Sequence, residues 1–321
     1  MANNSDTKSK PIIDLALLDA YQKSGGNIHD LSNKNVASLT VSFNKVLRVS
    51  ELPGIHMFAE ELPNGIKAKI VVDPDTVYEE PIHLCFGMLP KEGTQEILSE
   101  FLIGKNANIS VIAHCTFPNS IKVIHQMEAT VTVEENANFE YKEEHYHGSN
   151  AGAVVKPKTF AHVKKNGRYV NTFRLVGGRV GNLDLEYVAN LDENAVVELE
   201  TKVAGRDDDK IRVNEIFNLN GDGARGLAKS RIFIKDNSIS EFLAEANGNA
   251  PNTRGHVDCT EIIAGNAKAS AIPKVSVLHE SAKVTHEASI GKIDSEKLET
   301  LMARGLTEDE AIEVIIKGLL K

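Results

Sequence analysis

The sequence predicts a mainly β protein in which short strands stack as a solenoid, followed by a small helical end. From about residue 78 to residue 290, short stretches alternate apolar and polar side chains, as in Ala129-Thr-Val-Thr-Val and Ser230-Arg-Ile-Phe-Ile. Such alternation is typical of a strand with one buried face. Helical periodicity is nearly missing from this segment. Turn-forming residues also recur in it at a regular spacing, which favours stacked strands.

The repeat is a small polar residue followed by alanine, just before a strand. It occurs at Asn106-Ala107, Asn136-Ala137, Asn194-Ala195, Gly223-Ala224, Asn266-Ala267 and Ser281-Ala282. The intervals between successive copies all lie near multiples of about 15 residues, the kind of fixed period that stacked repeats show. Asn and Gly suit the corners of a solenoid because both tolerate left-handed backbone angles. A β-sandwich also has recurring turns, about every 8–12 residues, but the shared unit favours a β-helix.

Three regions are expected along the chain. Residues 1–75 form an N-terminal helical and mixed region, residues 76–290 form the β-helix core, and residues 291–321 form a C-terminal helical segment. In the first region the first ten residues are expected to be disordered, and a short helix is expected from Pro11 to Tyr21. Glycines or prolines mark the turns that follow, at Gly25-Gly26, Pro53-Gly54 and the hairpin-like Asn64-Gly65.

The C-terminal segment predicts two helices joined by a glycine. Asp294 can cap the first helix, and Gly305 ends it. Thr307 and Glu310 have the spacing of a capping box that opens the second helix. This helix carries one apolar stripe, made of Ala311, Ile312, Ile315, Leu319 and Leu320. Such a stripe packs on its own domain or docks on a partner.

Composition excludes several classes of function. The net charge is -9 with both signs interspersed, whereas a nucleic-acid surface needs clustered Lys and Arg. No apolar run reaches the length of a membrane span, and the polar N-terminus lacks the apolar core of a signal peptide. We therefore expect a cytosolic protein. No Walker-type phosphate loop occurs, since Gly177-Gly178-Arg and Gly221-Asp-Gly223 lack its Lys-Ser/Thr ending.

The first candidate site combines Cys259 with the pair His286-Glu287. The three cysteines, Cys85, Cys115 and Cys259, form no C-x-x-C motif, so neither a disulfide framework nor a four-thiolate zinc site is expected. Thiolate, imidazole and carboxylate are ligand types of soft or borderline metals. The stretch from Cys259 to His286 is close to two units of the repeat in length. They could therefore lie on neighbouring rungs, although a lone Cys in a strand is more often core and a His-Glu pair more often solvated.

The second candidate is His145-Tyr-His147. Residues i and i+2 of a strand point the same way, so both imidazoles share a face and could form half of a metal site. The alternative, which we favour from sequence, is an exposed polar strand end beside Glu143 and Glu144. His114 and Cys115 are expected to point to opposite faces and so make a poor joint site.

Several motifs in the C-terminal third resemble the SufB/SufD family of iron–sulfur cluster assembly scaffolds. They are Lys229-Ser-Arg-Ile-Phe-Ile-Lys-Asp-Asn-Ser, Cys259-Thr-Glu-Ile-Ile-Ala-Gly, Ile272-Pro-Lys-Val and His286-Glu-Ala-Ser-Ile-Gly-Lys-Ile. The helical tail Leu301-Met-Ala-Arg-Gly-Leu-Thr-Glu-Asp-Glu-Ala-Ile is similar to the partner-binding end of that family. The resemblance runs from about residue 105 to the end. It implies a right-handed parallel β-helix with a C-terminal helical domain.

The resemblance implies a non-catalytic scaffold that builds and transfers nascent iron–sulfur clusters. Its partner would be SufC, an ABC-type ATPase that supplies the ATPase activity and docks on the C-terminal helices, here through Leu301, Gly305, Glu308, Glu310 and Ile312. The position of Cys259 is implicated in accepting sulfur or holding the cluster, with His286 and Glu287 beside it. One chain offers few cysteines, so a transient cluster bridged across a homodimer or a SufB/SufD-type heterodimer is expected.

Two departures separate this chain from typical SufB. SufB usually has a further acidic residue just before the histidine, where this chain has Thr285, so ligation from that position is excluded. The chain is also much shorter in its N-terminal region. Two other functions fit a β-helix: a carbohydrate-active enzyme and a cofactor-free interaction scaffold. Aromatic residues, which such enzymes use as sugar platforms, make up only 5% of the chain.

Overall fold

The computed structural model describes residues 14–320. They form a parallel β-solenoid of about eight turns, flanked by short helices at each end. The expected mainly β fold is confirmed. The first ten residues and the expected helix start at Pro11 lie outside the described residues. No helix in the described part is long and apolar enough to cross a membrane.

Two sheets make the walls of the solenoid. The helices are α1 Leu15–Lys23, α2 Ile28–Ser32, α3 Ser295–Ala303 and α4 Glu308–Leu319. The first sheet contains β1 Ser38–Ser42, β2 Lys45–Ser50, β5 Ile82–Gly87, β7 Asn108–Phe117, β9 Asn138–His147, β11 Arg168–Gly177, β13 Val196–Gly205, β15 Arg225–Ile234, β17 Arg254–Ile263 and β19 Lys283–Lys292. The second contains β3 Ile55–Leu62, β4 Gly65–Val72, β6 Glu92–Ile103, β8 Lys122–Val133, β10 Ala153–Val163, β12 Asn182–Leu191, β14 Lys210–Leu219, β16 Ile239–Gly248 and β18 Lys268–Val277.

The pairing register explains the spacing of the sequence repeat. From β4 onward each strand pairs in parallel with the strand two places ahead, as β9 does with β11 and β10 with β12. Thr172 pairs with Lys142 on the preceding turn, so one full turn contains two strands and two corners. The repeat therefore corresponds to half a turn, that is, one strand with one corner. Only β1–β2 and the hairpin β3–β4 are antiparallel among the named strand pairs, and β3–β4 turns just before Gly65, as the sequence predicts.

Asparagines build one edge of the solenoid. Asn106, Asn136, Asn166 and Asn194 have positive φ of 57°, 58°, 56° and 55°, a conformation that Asn tolerates better than other residues with a side chain. The amide of Asn166 donates to Asn136 at 3.0 Å, and that of Asn136 donates to Asn106 at 3.1 Å. Two of the predicted corner residues, Asn266 and Ser281, have ordinary φ. The positive φ lies instead on Gly265 near the first of them.

The core lies between the two sheets, and two smaller, separate apolar clusters lie under the helices at either end of the chain. Inward-facing residues alternate with outward-facing ones along the strands and form one continuous apolar cluster. Helix α1 begins after Asp14, whose carboxylate accepts from the backbone N–H of Ala16. It covers the outer face of β5 and buries Leu17 and Tyr21 against Cys85. Strands β1 and β4 lie within residues 1–75 yet already pair with the solenoid strands β5 and β6. The region boundaries at residues 75 and 290 stay predictions.

The C-terminal helices form as the sequence predicts. Asp294 caps α3, and Thr307 and Glu310 form a complete capping box at the start of α4. Helix α4 buries its apolar side against Ala204 and Phe233 of the solenoid. Its buried residues are Ala311, Ile312 and Ile316, with Leu320 at the cap. The stripe thus packs on its own domain.

Candidate functional site

The solenoid is open at its C-terminal end, where β18 and β19 each have one hydrogen-bonded neighbour among the described strands. Their other edges carry unpaired backbone groups that can pair with another strand. Large apolar side chains are exposed there, namely Ile272, Val275, Val277, Leu278 and Ile290. The last rung therefore carries apolar surface that no described residue covers.

Cys259 lies one rung inside this open end. It is fully buried and faces inward from β17, between Val257 and Glu261. Across the sheet its backbone pairs with Ser230 on β15 and with Ala288 on β19. Both neighbours are small, and Ala288 is exposed. Among the described residues, only Ala288 of the last strand therefore lies between Cys259 and the end of the solenoid along this sheet.

His286 and Glu287 lie on opposite faces of β19. His286 pairs with Val257, and it shares the inward face with the partly buried Val284. Its Cα is about 8 Å from that of Cys259, given one strand spacing and two residues of rise. Glu287 pairs with Asp258 on the outer face. The structure thus brings His286, but not Glu287, to the face that carries Cys259.

The outer face beside Glu287 is already occupied by polar contacts. Asp258 accepts from Arg231 at 2.6 Å, and this pairing lowers the pKa of the Asp258 carboxyl. Thr285, which pairs with His256 across the sheet, contacts Nδ1 of that histidine at 2.8 Å. Thr285 and Glu287 of β19 therefore point outward. His286 and Ala288, which alternate with them, point inward.

The environment of Cys259 favours the neutral thiol. Burial raises the pKa of the Cys259 thiol to about 12, and the carboxyl groups of Glu261 and Glu215 add to the rise. The hydroxyl of Ser230 acts in the opposite direction. Burial also raises the pKa of Glu261 and of Glu215 to about 7. Neither carboxyl is expected from the motifs of the sequence, although Glu261 follows the same alternation as the inward-facing Val257 and Cys259.

The second candidate pair, His145 and His147, is buried, so the expectation of an exposed strand end is wrong. Both imidazoles face the interior, and Nδ1 of His145 lies 3.4 Å from Nε2 of His147. Burial lowers the pKa of His147 to about 3 and that of His125, on the facing strand β8, well below its usual range. The burial of His145 and His147 could have been predicted from the alternation along β9, because Phe139 and Tyr141 point into the core from the same face of the strand.

His114 and Cys115 point to opposite faces of β7, as the sequence predicts. His114 faces outward under α1, where Nδ1 contacts the hydroxyl of Ser24 at 2.8 Å. Cys115 faces the core, and its thiol lies 3.7 Å from the sulfur of Met127. The two side chains therefore belong to different environments.

The expected partner-binding residues differ in exposure. Gly305, Glu308 and Glu310 are exposed, and Leu301 is half-buried. Ile312 is buried against the solenoid. The guanidinium of Arg206 donates to both carboxylate oxygens of Glu313, with the shortest distance 2.9 Å. The exposed surface of this segment therefore consists of α3 and the acidic start of α4.

Comparison with known proteins agrees with this architecture. Residues 98–319 match the family described as "SUF system FeS cluster assembly, SufBD core domain". An iron-sulfur cluster assembly SufBD family protein of Methanocaldococcus jannaschii is 35% identical over 306 residues, which are 95% of this chain and 97% of that protein. One of Pyrococcus horikoshii is 38% identical over 305 residues, or 95% of this chain and 93% of that protein. A second protein of Pyrococcus horikoshii, of the same family, is 30% identical and matches 75% of this chain and 54% of itself. The chain belongs to the SufBD family of iron–sulfur cluster assembly proteins.

Proposed function

We propose that this protein is the scaffold of a cytoplasmic SUF machinery, on which a nascent iron–sulfur cluster is built and from which it is transferred. The observation that carries the proposal is the place of Cys259, one rung inside the open end with His286 on the same face. The cluster is cargo in this proposal. ATP hydrolysis belongs to the partner.

The ligand set suits a cluster that must leave again. Cysteine thiolates are the ordinary ligands of iron–sulfur clusters, and each chain offers one thiol, Cys259, near the open end. An imidazole as second ligand adds no charge and binds iron less tightly than a thiolate. Cys259 and His286 are our proposed first ligands. Glu287, on the outer face of β19, is proposed as a weaker contributor.

Ligation requires Cys259 to lose its thiol proton, because the thiolate is the form that binds metal. Glu261 lies two residues along the same strand on the same face, and its carboxyl titrates near neutral pH. It is ionised above pH 7 and can then accept the proton of Cys259. The positive charge of bound iron replaces the proton that held the thiol neutral.

We propose that a second SufBD-family chain covers the open end, as a homodimer or as a SufB/SufD-type heterodimer. The unpaired edges of β18 and β19 and the exposed Val277 and Ile290 support this arrangement. Pairing of two open ends would place Cys259 and His286 of one chain near the same residues of the other. A cluster could then receive ligands from both chains while each chain supplies few.

The C-terminal helices are proposed as the docking site of a SufC-type ABC ATPase. Gly305, Glu308 and Glu310 are exposed and Leu301 is half-buried, and Ile312 would act indirectly by holding α4 on the solenoid. Glu308→Lys should weaken co-purification with the ATPase and leave the fold intact. Unchanged association after deletion of residues 294–321 would refute the docking proposal.

Anaerobic cluster reconstitution tests the scaffold function. The wild-type protein with ferrous iron and sulfide should become brown and hold both elements, and Cys259→Ala should stay colourless. Cys85→Ala is the matched control, because burial raises the pKa of its thiol to about 12 as well, yet Cys85 lies under α1. Equal iron and sulfide in Cys259→Ala and wild type would refute the proposal. A colourless wild type would instead favour a cofactor-free interaction scaffold.

Native mass measurement tests the pairing. The wild-type protein should be dimeric, and charges introduced on the inward-facing edge, as in Val277→Lys, should yield monomers with little cluster. The control Leu62→Lys, at the opposite end of the second sheet, should stay dimeric. A monomeric wild type that binds a full cluster alone would exclude the bridged arrangement.

A further inference from the structure

Far from Cys259, the interior of the solenoid contains a group of buried metal-ligand side chains. Cys115 on β7 and Glu143 and His145 on β9 are all fully or nearly fully buried. One ligand atom of each lies within 4.8 Å of the others. Cys115 and Cys259 are five strands apart in the same sheet, or about 24 Å at the usual strand spacing. This group is therefore separate from the proposed cluster site.

Hydrogen bonds fix which nitrogen of each histidine carries a proton. The carbonyl oxygen of Arg179 can only accept, so Nδ1–H of His147 donates to it at 3.0 Å. Nε2 of the neutral His147 then offers a lone pair to His145, whose Nδ1 lies 3.4 Å away. Nδ1 of His145 must be the donor in this contact. Nε2 of His145 is left facing the carboxylate of Glu143.

The contact between His145 and Glu143 requires a cation. Nε2 of His145 lies 2.5 Å from Oε1 of Glu143, and two lone pairs at this distance repel each other. A proton must lie between them in this structure, and a metal ion that replaced this proton would hold the two atoms further apart. Cys115, paired in register with His145 on the adjacent strand, offers a thiol to the same space.

A further buried imidazole, that of His125, lies next to this group. Gln95 donates its amide N–H to the carbonyls of Phe43 and Gly87, so its Oε1 accepts from Nδ1–H of His125 at 3.0 Å. Nε2 of His125 is buried and has no hydrogen-bond partner within residues 14–320. The rings of His125 and His145 are 6.1 Å apart. A carbonyl acceptor behind the ring is the usual second contact of a metal-binding histidine.

We propose that Cys115, Glu143 and His145, completed by His125, bind one borderline divalent transition ion such as Zn²⁺ or Fe²⁺. One thiolate, one carboxylate and imidazoles form a donor set of this class. Binding displaces the thiol proton of Cys115 and the proton between Glu143 and His145. Two protons leave as one dication enters, so the buried charge is unchanged and the desolvation cost of a lone buried ion does not arise.

A single-cysteine variant tests this site without the cluster site. In Cys85→Ala/Cys259→Ala, Cys115 is the only thiol left. The full-length variant would be unfolded anaerobically with a chelator, refolded with Co²⁺ or Zn²⁺, and desalted. We expect about one ion per chain and, with Co²⁺, the charge-transfer band of a cobalt–thiolate bond. That band can come only from Cys115.

Three outcomes decide the proposal. A cobalt–thiolate band with a bound ion supports it, even where cluster reconstitution at Cys259 fails. A folded variant that keeps no ion, or an ion without the band, overturns it and leaves a shared proton between Glu143 and His145. Glu143→Gln in the same background should weaken Zn²⁺ binding at least about tenfold. Retained affinity in that folded variant would exclude Glu143 as a ligand.

Discussion

Cys259 and Ala288 are paired across the last two strands of the first sheet, so a methyl group is all that the final strand places in line with the buried thiol. Ala288 is exposed. We predict that Ala288→Leu reduces cluster formation to the level of Cys259→Ala, because the larger side chain covers the thiol from the open end. Iron and sulfide content after anaerobic reconstitution measures this effect.

Ser289→Leu is the control for this variant, since Ser289 lies on the outer face of the same strand, near Thr260. It should keep wild-type cluster content. The rate of reaction of the thiols with a maleimide should also fall in Ala288→Leu only. If both variants bind a full cluster, the thiol does not receive iron through the open end.

His286 and Glu287 should differ in the same assay. His286→Ala removes the imidazole on the inward face of β19 and should lose most of the cluster. Glu287→Gln leaves that face unchanged and should lose less. Iron release to a chelator, followed by absorbance, would rank the two. A larger loss in Glu287→Gln would mean that the outer face of β19 binds the cluster.

The paired contact between Arg206 and Glu313 should control how firmly α4 is seated. Both partners are partly buried, at 16% and 38% side-chain exposure, so the contact stabilises α4 by about 1–2 kcal/mol. Arg206→Ala should speed hydrogen exchange of the backbone amides of α4 about 5–30-fold. Mass spectrometry of the peptide that contains Ile316 would report it.

Lys235→Ala is the comparison for α4. Nζ of Lys235 lies as far as 3.5 Å from Oδ1 of Asp309, and the side chain of Asp309 is 87% exposed. Screening by solvent makes such a pair weak, so exchange in this variant should stay near that of wild type. Equal effects in both variants would show that apolar packing of Ile312 and Ile316 alone holds the helix.

The asparagine edge of the solenoid gives a prediction on stability. Asn136 has a positive φ and joins Asn106 and Asn166 by hydrogen bonds. Asn136→Ala should lower the free energy of unfolding by about 2–3 kcal/mol, combining the left-handed conformation with the lost hydrogen bonds. Asn136→Gly keeps the conformation accessible and should cost less. Urea unfolding measures both, and equal losses would mean that the φ angle does not matter.

Much of the fold could be predicted because the solenoid is local and periodic. The alternation of apolar and polar residues predicts which side chains face inward. The spacing of corner residues such as Asn136 and Asn194 predicts the length of half a turn. The corner predicted at Asn266 is displaced by one residue, because Gly265 and not Asn266 takes the left-handed backbone conformation. The register of long-range pairing then follows from repetition.

The sites could be predicted only in part, because they depend on the face of a strand and on the end of the stack. Adjacent residues of a strand, such as His286 and Glu287, point in opposite directions. The expectation that both lie beside Cys259 did not take this into account. The burial of His145 required the phase of the whole strand β9. Glu143 and Glu261 occupy inward-facing positions that are otherwise mostly apolar. A charged residue at such a position is a signal of a buried site that can be recognised in the sequence of other solenoids.

Glu261 should make stability fall as the pH rises. Burial raises its pKa from the usual 4.5 to about 7 in the folded state, so the folded protein binds a proton that the unfolded chain has already released. The stabilisation by this proton is fully present below pH 4.5 and is lost as the pH rises through 7. The shift corresponds to about 3 kcal/mol.

Glu261→Gln removes this titration while keeping the size of the side chain and its contact with Ser240. Urea unfolding at pH 5 and pH 8 should therefore show that the variant gains stability relative to wild type at the higher pH, by up to about 3 kcal/mol. The exposed Glu241→Gln should show no such gain. Glu215→Gln should behave like Glu261→Gln, because burial raises the pKa of Glu215 to about 7 as well. A difference between Glu261→Gln and wild type that is the same at both pH values would mean that Glu261 titrates normally, and its carboxylate would then be a weaker base toward the thiol of Cys259 than proposed.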